Sequence, residues 1–401
     1  MQAKKIIGLC LSAAFFLCTA ACDPSRAATV PVSENTNSFA VKSSSADFSH
    51  TNMEKENDKG SWVQKAPMST ARKWFQTAVV NGKIYAMGGT DEYDGYSHGL
   101  STVEEYDPML DHWAKKAPML STRLNFRTEV IDGKIYAIGG FNGQGDPLSS
   151  MEEYDSESNK WIAKASMSAV RTDFQTEVID GKIYAIGGIG DYAEFLSSVE
   201  EYDPRSNTWT TKSSMSVPRA QFQTAVVNGK IYAIGGNSDN KALLSVEEYD
   251  PQINKWVKKA PMATPRIAFQ AQSIAGKIYA IGGYNNGDGS MNTELSSVEE
   301  YDPKSNRWAA KKTMHTPRYD FQTEVINGEV YAIGGSSEAQ YFTSLSAVEV
   351  YIPSDNVWLY EETMTTSRLF FQTEVLDNKI YAIGGLSKTK ALSSVEVYMA
   401  W

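Results

Sequence analysis

Short β-prone segments recur along the chain, and each pair is separated by turn-forming residues. In the first pair, residues 75–80 read FQTAVV, residues 83–87 read KIYAM, and Asn81-Gly82 lies between them. Asn-Gly between two such segments favours a tight hairpin, because both turn residues adopt positive φ. The equivalent turns in the later units are Asp132-Gly133, Asp180-Gly181, Asn228-Gly229, Ala275-Gly276, Asn327-Gly328 and Asp377-Asn378.

Two further strands are predicted after each hairpin. In the first unit the third strand carries Val103-Glu104-Glu105-Tyr106, and Asp107-Pro108 begins a turn. The fourth strand holds Trp113 and runs to Met119. Four short antiparallel strands in every unit are typical of the blades of a β-propeller.

The strands lie within a skeleton, W-x5-M-x3-R-x2-F-x12-GG, that occurs seven times with a period of about fifty residues. The distance from Trp to Gly-Gly is the same in every unit. The Trp copies are Trp62, Trp113, Trp161, Trp209, Trp256, Trp308 and Trp358. The repeat predicts an all-β fold, a seven-bladed propeller of four-stranded antiparallel blades over residues 61–401.

The phase of the repeat at the two ends predicts how the ring closes. The last unit ends three residues after Tyr398, so it lacks a fourth strand. The strand that begins at Trp62 has no earlier strands of its own unit. We therefore expect the N-terminal strand to complete the last blade, which would leave no open sheet edge.

Gly-Gly at the end of a strand, a following Tyr and then a Trp at fixed spacing resemble the kelch repeat. The resemblance extends over all seven units. Kelch families form propellers of four-stranded blades, so the resemblance implies the same fold as the strand count. Copper radical oxidases with kelch-type propellers need a Cys–Tyr cross-link and His ligands. The repeats here have no Cys, and His98, His112 and His315 lie in different repeats, so we expect no metal and no cofactor.

The first residues read as an export signal. Residues 1–22 contain two lysines, an apolar run too short to span a membrane, and small residues before Cys22. Thr19-Ala20-Ala21-Cys22 resembles the lipobox of bacterial lipoproteins but has Thr19 where an aliphatic residue is preferred. Lipidation of Cys22 and simple cleavage with release both remain open. Residues 23–60 are polar and predict a flexible linker, so we expect a protein that is exported and either lipid-anchored at the cell envelope or secreted.

Charge excludes one class of partner. The formal net charge is -10, whereas a general nucleic-acid-binding protein needs a basic surface. We expect a monomer that contacts a membrane only through a lipid anchor.

The residues that recur in every unit are assigned to structure. Buried Trp, Phe and Met fill the space between blades, and Gly-Gly permits positive φ or close backbone approach rather than phosphate binding. A recurring Glu shares a strand face with the Tyr two residues later, so it should be buried and paired with a recurring Arg. A catalytic carboxylate is the competing interpretation, but seven equivalent catalytic groups are not expected. The predicted ion-pair residues are Arg72, Arg123, Arg171, Arg219, Arg266, Arg318, Arg368, Glu104, Glu152, Glu200, Glu247, Glu299, Glu349 and Glu396.

The first strand of each unit departs from strict repetition. One position is Gln in six units but Arg127 in the second, and a position two residues later varies among Glu, Gln and Ala. This strand should be innermost, next to the central channel. Polar lining of a hydrated channel explains these residues, and a bound ion or small ligand is the alternative.

Specificity should lie where the repeat is not obeyed. Every large length change falls between Gly-Gly and the next Tyr, and the residues after each Arg vary as well. Both sets should meet on one rim of the propeller, where binding residues on loops are supported by a rigid scaffold. The loop aromatics are expected to be exposed, although ordinary loop composition explains them equally well. The candidate ligand-binding residues are Trp74, Tyr93, Tyr96, Phe141, Asp173, Tyr192, Tyr284, Tyr319, Asp320, Tyr341 and Phe342.

These observations favour an extracytoplasmic binding or scaffold protein that recognises a protein or glycan through its variable loops. A carbohydrate-active enzyme of the sugar isomerase or mutarotase type is the alternative. Acid–base chemistry in such an enzyme could use Asp, Glu or His98, but no pair stands out. No residue is therefore assigned a catalytic role.

Overall fold

The structure, a computed structural model, describes residues 60–92, 98–286, 293–337 and 343–399. The predicted signal segment with Cys22, and all of the predicted linker except Gly60, lie outside the described residues. Within them, the fold is all-β: seven four-stranded antiparallel sheets are arranged as the blades of a propeller. A single 3-10 turn, Asp191–Ala193, is the one helical element in the described ranges, and no helix there is long and apolar enough to cross a membrane.

The strands are short, and most have five residues. In chain order they are β1 (Trp62–Lys65), β2 (Gln76–Val80), β3 (Lys83–Met87), β4 (Val103–Asp107), β5 (His112–Lys116), β6 (Arg127–Ile131), β7 (Lys134–Ile138), β8 (Met151–Asp155), β9 (Lys160–Lys164), β10 (Gln175–Ile179), β11 (Lys182–Ile186), β12 (Val199–Asp203), β13 (Thr208–Lys212), β14 (Gln223–Val227), β15 (Lys230–Ile234), β16 (Asn237–Ser238), β17 (Lys241–Ala242), β18 (Val246–Asp250), β19 (Lys255–Lys259), β20 (Gln270–Ile274), β21 (Lys277–Ile281), β22 (Tyr284–Asn285), β23 (Thr293–Glu294), β24 (Val298–Asp302), β25 (Arg307–Lys311), β26 (Gln322–Ile326), β27 (Glu329–Ile333), β28 (Val348–Ile352), β29 (Val357–Glu361), β30 (Gln372–Leu376), β31 (Lys379–Ile383), β32 (Leu386–Ser387), β33 (Lys390–Ala391) and β34 (Val395–Met399).

Blades 1 to 6 are each built from consecutive strands, interrupted in blades 4 and 5 by a two-stranded loop ribbon. Blade 7 has the order β30-β31-β34-β1, and β1 pairs antiparallel with β34, Trp62 opposite Tyr398. The first strands of neighbouring blades contact one another around the ring, and β30 contacts β2. These seven strands line the central channel.

Each repeated Trp ties its blade to the one before it. The Trp161 ring packs 5.0 Å from the ring of Tyr154, and its Nε1 donates to the carbonyl of Ala117 in blade 1. Asn159 in the adjacent turn accepts hydrogen bonds from Tyr154 Oη and from the backbone N–H of Ala117. Close packing of the tilted aromatic rings makes these contacts apolar, and the hydrogen bonds at their polar ends make them directional.

Blade 7 reproduces this arrangement with a residue from another blade. Trp62 donates to the carbonyl of Glu362, as the other Trp residues do to their preceding blades. Tyr398, however, has no Asn in a following turn, because its blade joins two distant parts of the chain. Its hydroxyl donates instead to Glu361 of blade 6, at 2.7 Å.

The Gly-Gly pairs lie where backbones approach closely. Gly88 and Gly89 both have positive φ, 63° and 83°. A Cβ on Gly88 would lie 2.4 Å from the carbonyl oxygen of Arg123 in blade 2, and one on Gly89 would lie 2.6 Å from that of Lys73 in its own blade. Only glycine fits both the conformation and the space.

All seven recurring Arg side chains are fully buried, and each forms an ion pair with the recurring Glu of its unit. Arg219 Nη2 lies 3.0 Å from Glu247 Oε1, and Nη1 donates to the carbonyls of Gly235 and Ser245. Glu247 also accepts the backbone N–H groups of Ser216 and Val217. The pair therefore fixes both the Gly-Gly segment and the connection between blades.

A second buried Glu was not identified from the sequence. In blade 5, Glu300 accepts a hydrogen bond from Tyr279 at 2.7 Å and is paired with Lys277 and Lys311. Burial opposes its ionisation, but these donors prevail and lower the pKa of Glu300 to about 2. The equivalent Glu residues of blades 1 to 4 have the same kind of neighbours, whereas blades 6 and 7 have Val350 and Val397 there.

Candidate functional site

The variable loops and the connections between blades lie on one face of the ring. After each Arg, the chain forms a short antiparallel bridge with the residue after Gly-Gly, as Leu124 does with Phe141 and Thr172 with Ile189. We call this side the loop face. The hairpin turns such as Asn81-Gly82 and the turns that join third and fourth strands lie at the other ends of the strands, on what we call the turn face.

The second residue after each Arg lies two residues before the inner strand, and these seven residues surround the opening of the central channel. All seven residues have positive φ, between 48° and 54°. Backbone hydrogen bonds join several neighbours, for example from the N–H of Asn125 to the carbonyl of Trp74, at 2.9 Å. We call this ring of residues the channel mouth; it consists of Trp74, Asn125, Asp173, Gln221, Ala268, Asp320 and Phe370.

The channel mouth is chemically asymmetric. On one side the rings of Trp74 and Phe370 lie 5.4 Å apart, and Lys73 Nζ lies 4.1 Å from the Trp74 ring. Elsewhere it carries two carboxylates, Asp173 in blade 3 and Asp320 in blade 6. The repeated backbone thus presents aromatic and acidic groups at equivalent positions.

The two mouth carboxylates have unsatisfied oxygens. Asp173 Oδ1 accepts a hydrogen bond from Asn125 Nδ2, at 2.9 Å. Asp173 Oδ2 and Asp320 Oδ2 are buried and have no hydrogen-bond partner among the described residues. Burial raises the pKa of Asp173, against the Asn125 hydrogen bond and the charge of Arg127. Burial, followed by the charge of Asp173, raises the pKa of Asp320 to about 7.

Below the mouth, one polar position in six of the seven inner strands holds neighbouring blades together. Gln223 Nε2 donates to the carbonyl of Phe269, and Arg127 Nε donates to that of Phe174. Such bonds satisfy backbone groups between the inner strands. The same contact to the next blade is made by Gln175, Gln270, Gln322 and Gln372.

A deeper layer of the channel contains four half-buried glutamates. They lie in two neighbouring pairs, Glu129 with Glu177 and Glu324 with Glu374. Burial raises the pKa of each, and it reaches about 7 for Glu177, Glu324 and Glu374. The charge of the neighbouring glutamate adds to the effect in Glu177 and Glu374.

These raised pKa values predict a propeller that is more stable in mild acid. An unfolded glutamate has a pKa of about 4.3, so the folded protein binds more protons than the unfolded one between about pH 4 and pH 7. The free energy of unfolding contributed by these groups therefore falls as pH rises through that window and stays low above it. We expect a melting temperature roughly 2–5 °C lower at about pH 8 than at about pH 5.5.

A matched variant isolates the channel groups. Glu324→Gln with Glu374→Gln introduces the amide that blade 5 already has at the equivalent position, Gln272. Calorimetry of this variant should show a shallower dependence of melting temperature on pH. An unaltered slope would mean that other groups control it.

The loop residues differ in exposure. Tyr192 is fully exposed at the tip of the loop of blade 3, where the Asp191–Ala193 turn gives it a positive φ of 54°. Phe141 is half-buried beside Leu124. Of these two, Tyr192 is the aromatic side chain that a macromolecule could contact directly.

The expected exposure of Tyr284 is wrong. Tyr284 is buried and packs edge-on against Tyr319, which is also buried, with ring centroids 5.6 Å apart. Both belong to a small apolar cluster with Ile267 under the loops of blades 5 and 6. Tyr319 therefore does not lie on the rim as an exposed side chain. The pair supports the loops, and the predicted residues Tyr93, Tyr96, Tyr341 and Phe342 lie outside the described residues.

The complete channel mouth was only partly predicted. Trp74, Asp173 and Asp320 were candidates from the sequence, but Asn125, Gln221, Ala268 and Phe370 were not. One feature of the sequence identifies all seven residues of the channel mouth: each is the second residue after a repeated Arg. No group of three or more His, Cys, Asp and Glu that could hold a metal ion is found in the described part of the chain.

Two protein-family models match the chain. One, described as the Attractin/LZTR1 beta-propeller, matches residues 135–395, which is more than half of the chain. The other, described as the Kelch motif, matches residues 75–120. The matches bear out the resemblance to kelch repeats.

Similar proteins of known name match over short stretches. The influenza virus NS1A-binding protein homolog of Mus musculus is 43% identical over 81 residues, which are 20% of this chain and 12% of that protein. Kelch repeat and BTB domain-containing protein 12 of Homo sapiens is 40% identical over 92 residues, which are 20% of this chain and 15% of that protein. The aligned region is thus less than one sixth of either relative.

Solved structures share the fold at low identity. A fungal alcohol oxidase in complex with copper superposes with a TM-score of 0.70 at 16% identity, covering 86% of this chain and 77% of that one. The structure of YjhT superposes with a TM-score of 0.57 at 17% identity, covering 74% of this chain and 99% of that one. These likenesses concern the fold alone.

Proposed function

The chain belongs to the kelch-repeat β-propellers of the Attractin/LZTR1 beta-propeller family, and we propose that it binds a protein partner through its loop face. The kelch propeller supports a role as a protein-interaction scaffold. The loop face is the favoured surface because it combines variable loops with a channel mouth that changes from blade to blade. A fixed ring that carries variable groups is the usual design of a recognition surface.

One observation carries the choice of face. At the second position after Arg, the backbone conformation is the same in all seven blades, yet the side chain is aromatic, acidic, amide or methyl. Structural positions such as the buried Arg do not vary in this way. Because the backbone is constant while the side chain varies, these side chains can be adapted to a ligand without a change in the fold.

The nature of the partner follows from the relatives and the exposed loop. The mouse relative is named as a homolog of an influenza virus NS1A-binding protein, and a protein partner is the corresponding proposal for this chain. Tyr192 supplies the kind of aromatic anchor that contributes strongly to protein interfaces. A glycan that occupied the same loops would be a different outcome of the test below.

We further propose that binding takes place outside the cytoplasm. This rests on the signal-like residues 1–22 and the lipobox-like sequence before Cys22. The protein would be lipid-anchored at the cell envelope or secreted. Fractionation of cells that express the wild type or Cys22→Ser distinguishes the two, since only a lipid-anchored protein would leave the membrane fraction on substitution.

Substitution of exposed residues on opposite faces tests the proposed surface. Purified wild-type protein, Tyr192→Ala and Met109→Ala would be used to capture partners from envelope extract, and affinity for the captured partner would then be measured. Met109 is an exposed control in a turn-face loop of blade 1. We expect Tyr192→Ala to weaken binding at least about tenfold, or about 1.4 kcal/mol.

Met109→Ala should leave the affinity unchanged, and both variants should melt like the wild type. Loss of binding in Met109→Ala with none in Tyr192→Ala would contradict recognition at the loop face. If a glycan and no protein were captured, the partner would be a glycan and the proposal of a protein partner would be wrong.

A carbohydrate-active enzyme is the second candidate, favoured by the raised pKa of the Asp320 carboxyl group, on which the charge of Asp173 acts. A carboxyl group with a pKa near 7 is suited to acid–base catalysis. Anomer or epimer exchange in a panel of free sugars, followed by NMR, tests this candidate. Turnover that disappears in Asp320→Asn would support the enzyme candidate. The absence of turnover with every sugar of the panel would contradict it.

A further inference from the structure

We propose that the channel mouth binds an organic cation, an ammonium or guanidinium group, held between Asp173 and Asp320. This inference rests on the proposed function: in the protein complex the cation would be a Lys or Arg side chain of the partner.

Both carboxylates belong to the channel mouth, and each has one oxygen without a hydrogen-bond donor. Asp173 Oδ2 and Asp320 Oδ2 are buried and without a partner among the described residues. A buried polar atom without a hydrogen bond is unfavourable, and more so when it belongs to a charged group. Two like charges near each other add repulsion, and the charge of Asp173 acts on Asp320. A cation placed between them would satisfy both oxygens and remove the repulsion.

The cations already present do not fill this role. Arg127 lies close enough for its charge to act on Asp173, but its Nε donates to the carbonyl of Phe174, at 2.8 Å. Lys73 lies over the ring of Trp74, on the aromatic side of the mouth. Neither donates a hydrogen bond to Asp173 Oδ2 or Asp320 Oδ2.

The surroundings of the mouth favour a cation with apolar parts. Trp74 and Phe370 form an aromatic pair on the same ring of residues. Aromatic faces attract ammonium and guanidinium groups and pack against their methylene chains. Below the mouth lie Glu129, Glu177, Glu324 and Glu374. Because their pKa values are raised, they add negative potential to the channel increasingly as pH rises through about 7.

A metal ion fits the mouth less well. The described residues provide no group of three or more His, Cys, Asp and Glu arranged to hold one. Two carboxylates on opposite blades instead suit a group with several N–H donors, such as guanidinium. A divalent metal is therefore an outcome of the test rather than the proposal.

Calorimetric titration of the purified full-length protein with small cations is the first arm. The probes are Nα-acetyl-arginine amide and Nα-acetyl-lysine amide, with the neutral citrulline derivative and Ca²⁺ or Mg²⁺ for comparison. We expect both cationic amides to bind and the citrulline derivative to bind at least about tenfold more weakly. Tighter binding of a metal than of either amide, or no discrimination against citrulline, would overturn the proposal.

Substitutions in the mouth form the second arm. Asp173→Asn with Asp320→Asn keeps size and is compatible with positive φ, since Asn125 adopts it at the same position. Asp191→Asn removes one exposed loop-face carboxylate and serves as the charge control. The double variant should lose at least about tenfold in affinity for the amides, and the control less than about twofold. If the double variant and Asp191→Asn lost the same affinity for the amides, the effect would come from overall charge, and the proposed site would be wrong.

The captured partner separates this inference from the proposed function. If the partner binds at the loop face and the double variant weakens it at least about tenfold, the cation is a side chain of the partner. If Tyr192→Ala abolishes binding of the partner but the double variant does not change it, the proposed function stands. The partner then does not bind through a cation at the channel mouth. If the amides bind but no protein is recognised at the loop face, the site takes a free organic cation and the proposed function fails.

Discussion

Deletion of β1, or the single change Trp62→Ala, is expected to destabilise the entire ring rather than one blade. Trp62 is 7% exposed, packs 5.3 Å from the ring of Tyr398 and donates to the carbonyl of Glu362. Replacing a buried Trp by Ala costs about 3–5 kcal/mol. Because β1 is the strand that joins the two ends of the described fold in one sheet, the loss should not stay local.

The deletion has a second consequence for self-association. Without β1, the outer edge of β34 has no partner, and unpaired strand edges promote pairing between molecules. We expect a lower melting temperature by calorimetry together with oligomers in size-exclusion chromatography. Val63→Ala, which changes a side chain that is 40% exposed in the same strand, should alter stability by less than about 0.5 kcal/mol. A β1 deletion that melts like the wild type and remains monomeric would show that blade 7 does not depend on it.

Replacement of one buried arginine is expected to have an effect of similar size. Arg219→Met would leave Glu247 buried without its cation and would remove the donors to the carbonyls of Gly235 and Ser245. Breaking a buried ion pair by removing one partner costs about 3–5 kcal/mol. Chemical denaturation should show this loss as a lower midpoint with an unchanged slope.

The preceding blade supplies a matched control. Arg205 is exposed in the turn between β12 and β13, so Arg205→Met makes the same chemical change without burial. It should change stability by less than about 0.5 kcal/mol. If Arg219→Met were equally mild, the repeated Arg–Glu pair would not be what connects the Gly-Gly segment to the neighbouring blade.

The fold was predictable because the repeat has constant spacing. Constant spacing indicates where each strand lies and in which order the strands of a blade follow one another. The strand count, the number of blades and the propeller ring are confirmed by the structure. The second buried glutamate, Glu300 in blade 5, was missed for a physical reason. It points to the opposite face from Glu299, and its partners Lys277 and Lys311 come from the strands on either side. A pattern read along one strand does not include contacts between three strands.

The site was harder to predict because repetition does not define it. Tyr284 and Tyr319 look like exposed loop aromatics in the sequence, yet each buries the other across the boundary of blades 5 and 6. The variable residues after each Arg were expected on the rim, but only the three-dimensional ring shows which groups are neighbours. Whether Asp173 has a hydrogen-bond donor depends on Asn125 in the preceding blade, and no local pattern contains that information.

The central claim, that a partner is recognised at the loop face, is tested most directly by hydrogen–deuterium exchange on the complex. Amide protection caused by binding would be mapped over both faces of the ring in one measurement. We predict that protection is concentrated in the loop-face segments 141–148, 189–196 and 236–243, while the turn-face segments 107–112 and 155–160 exchange as in the free protein. Protection of the turn-face segments with unchanged exchange in the loops would contradict the account.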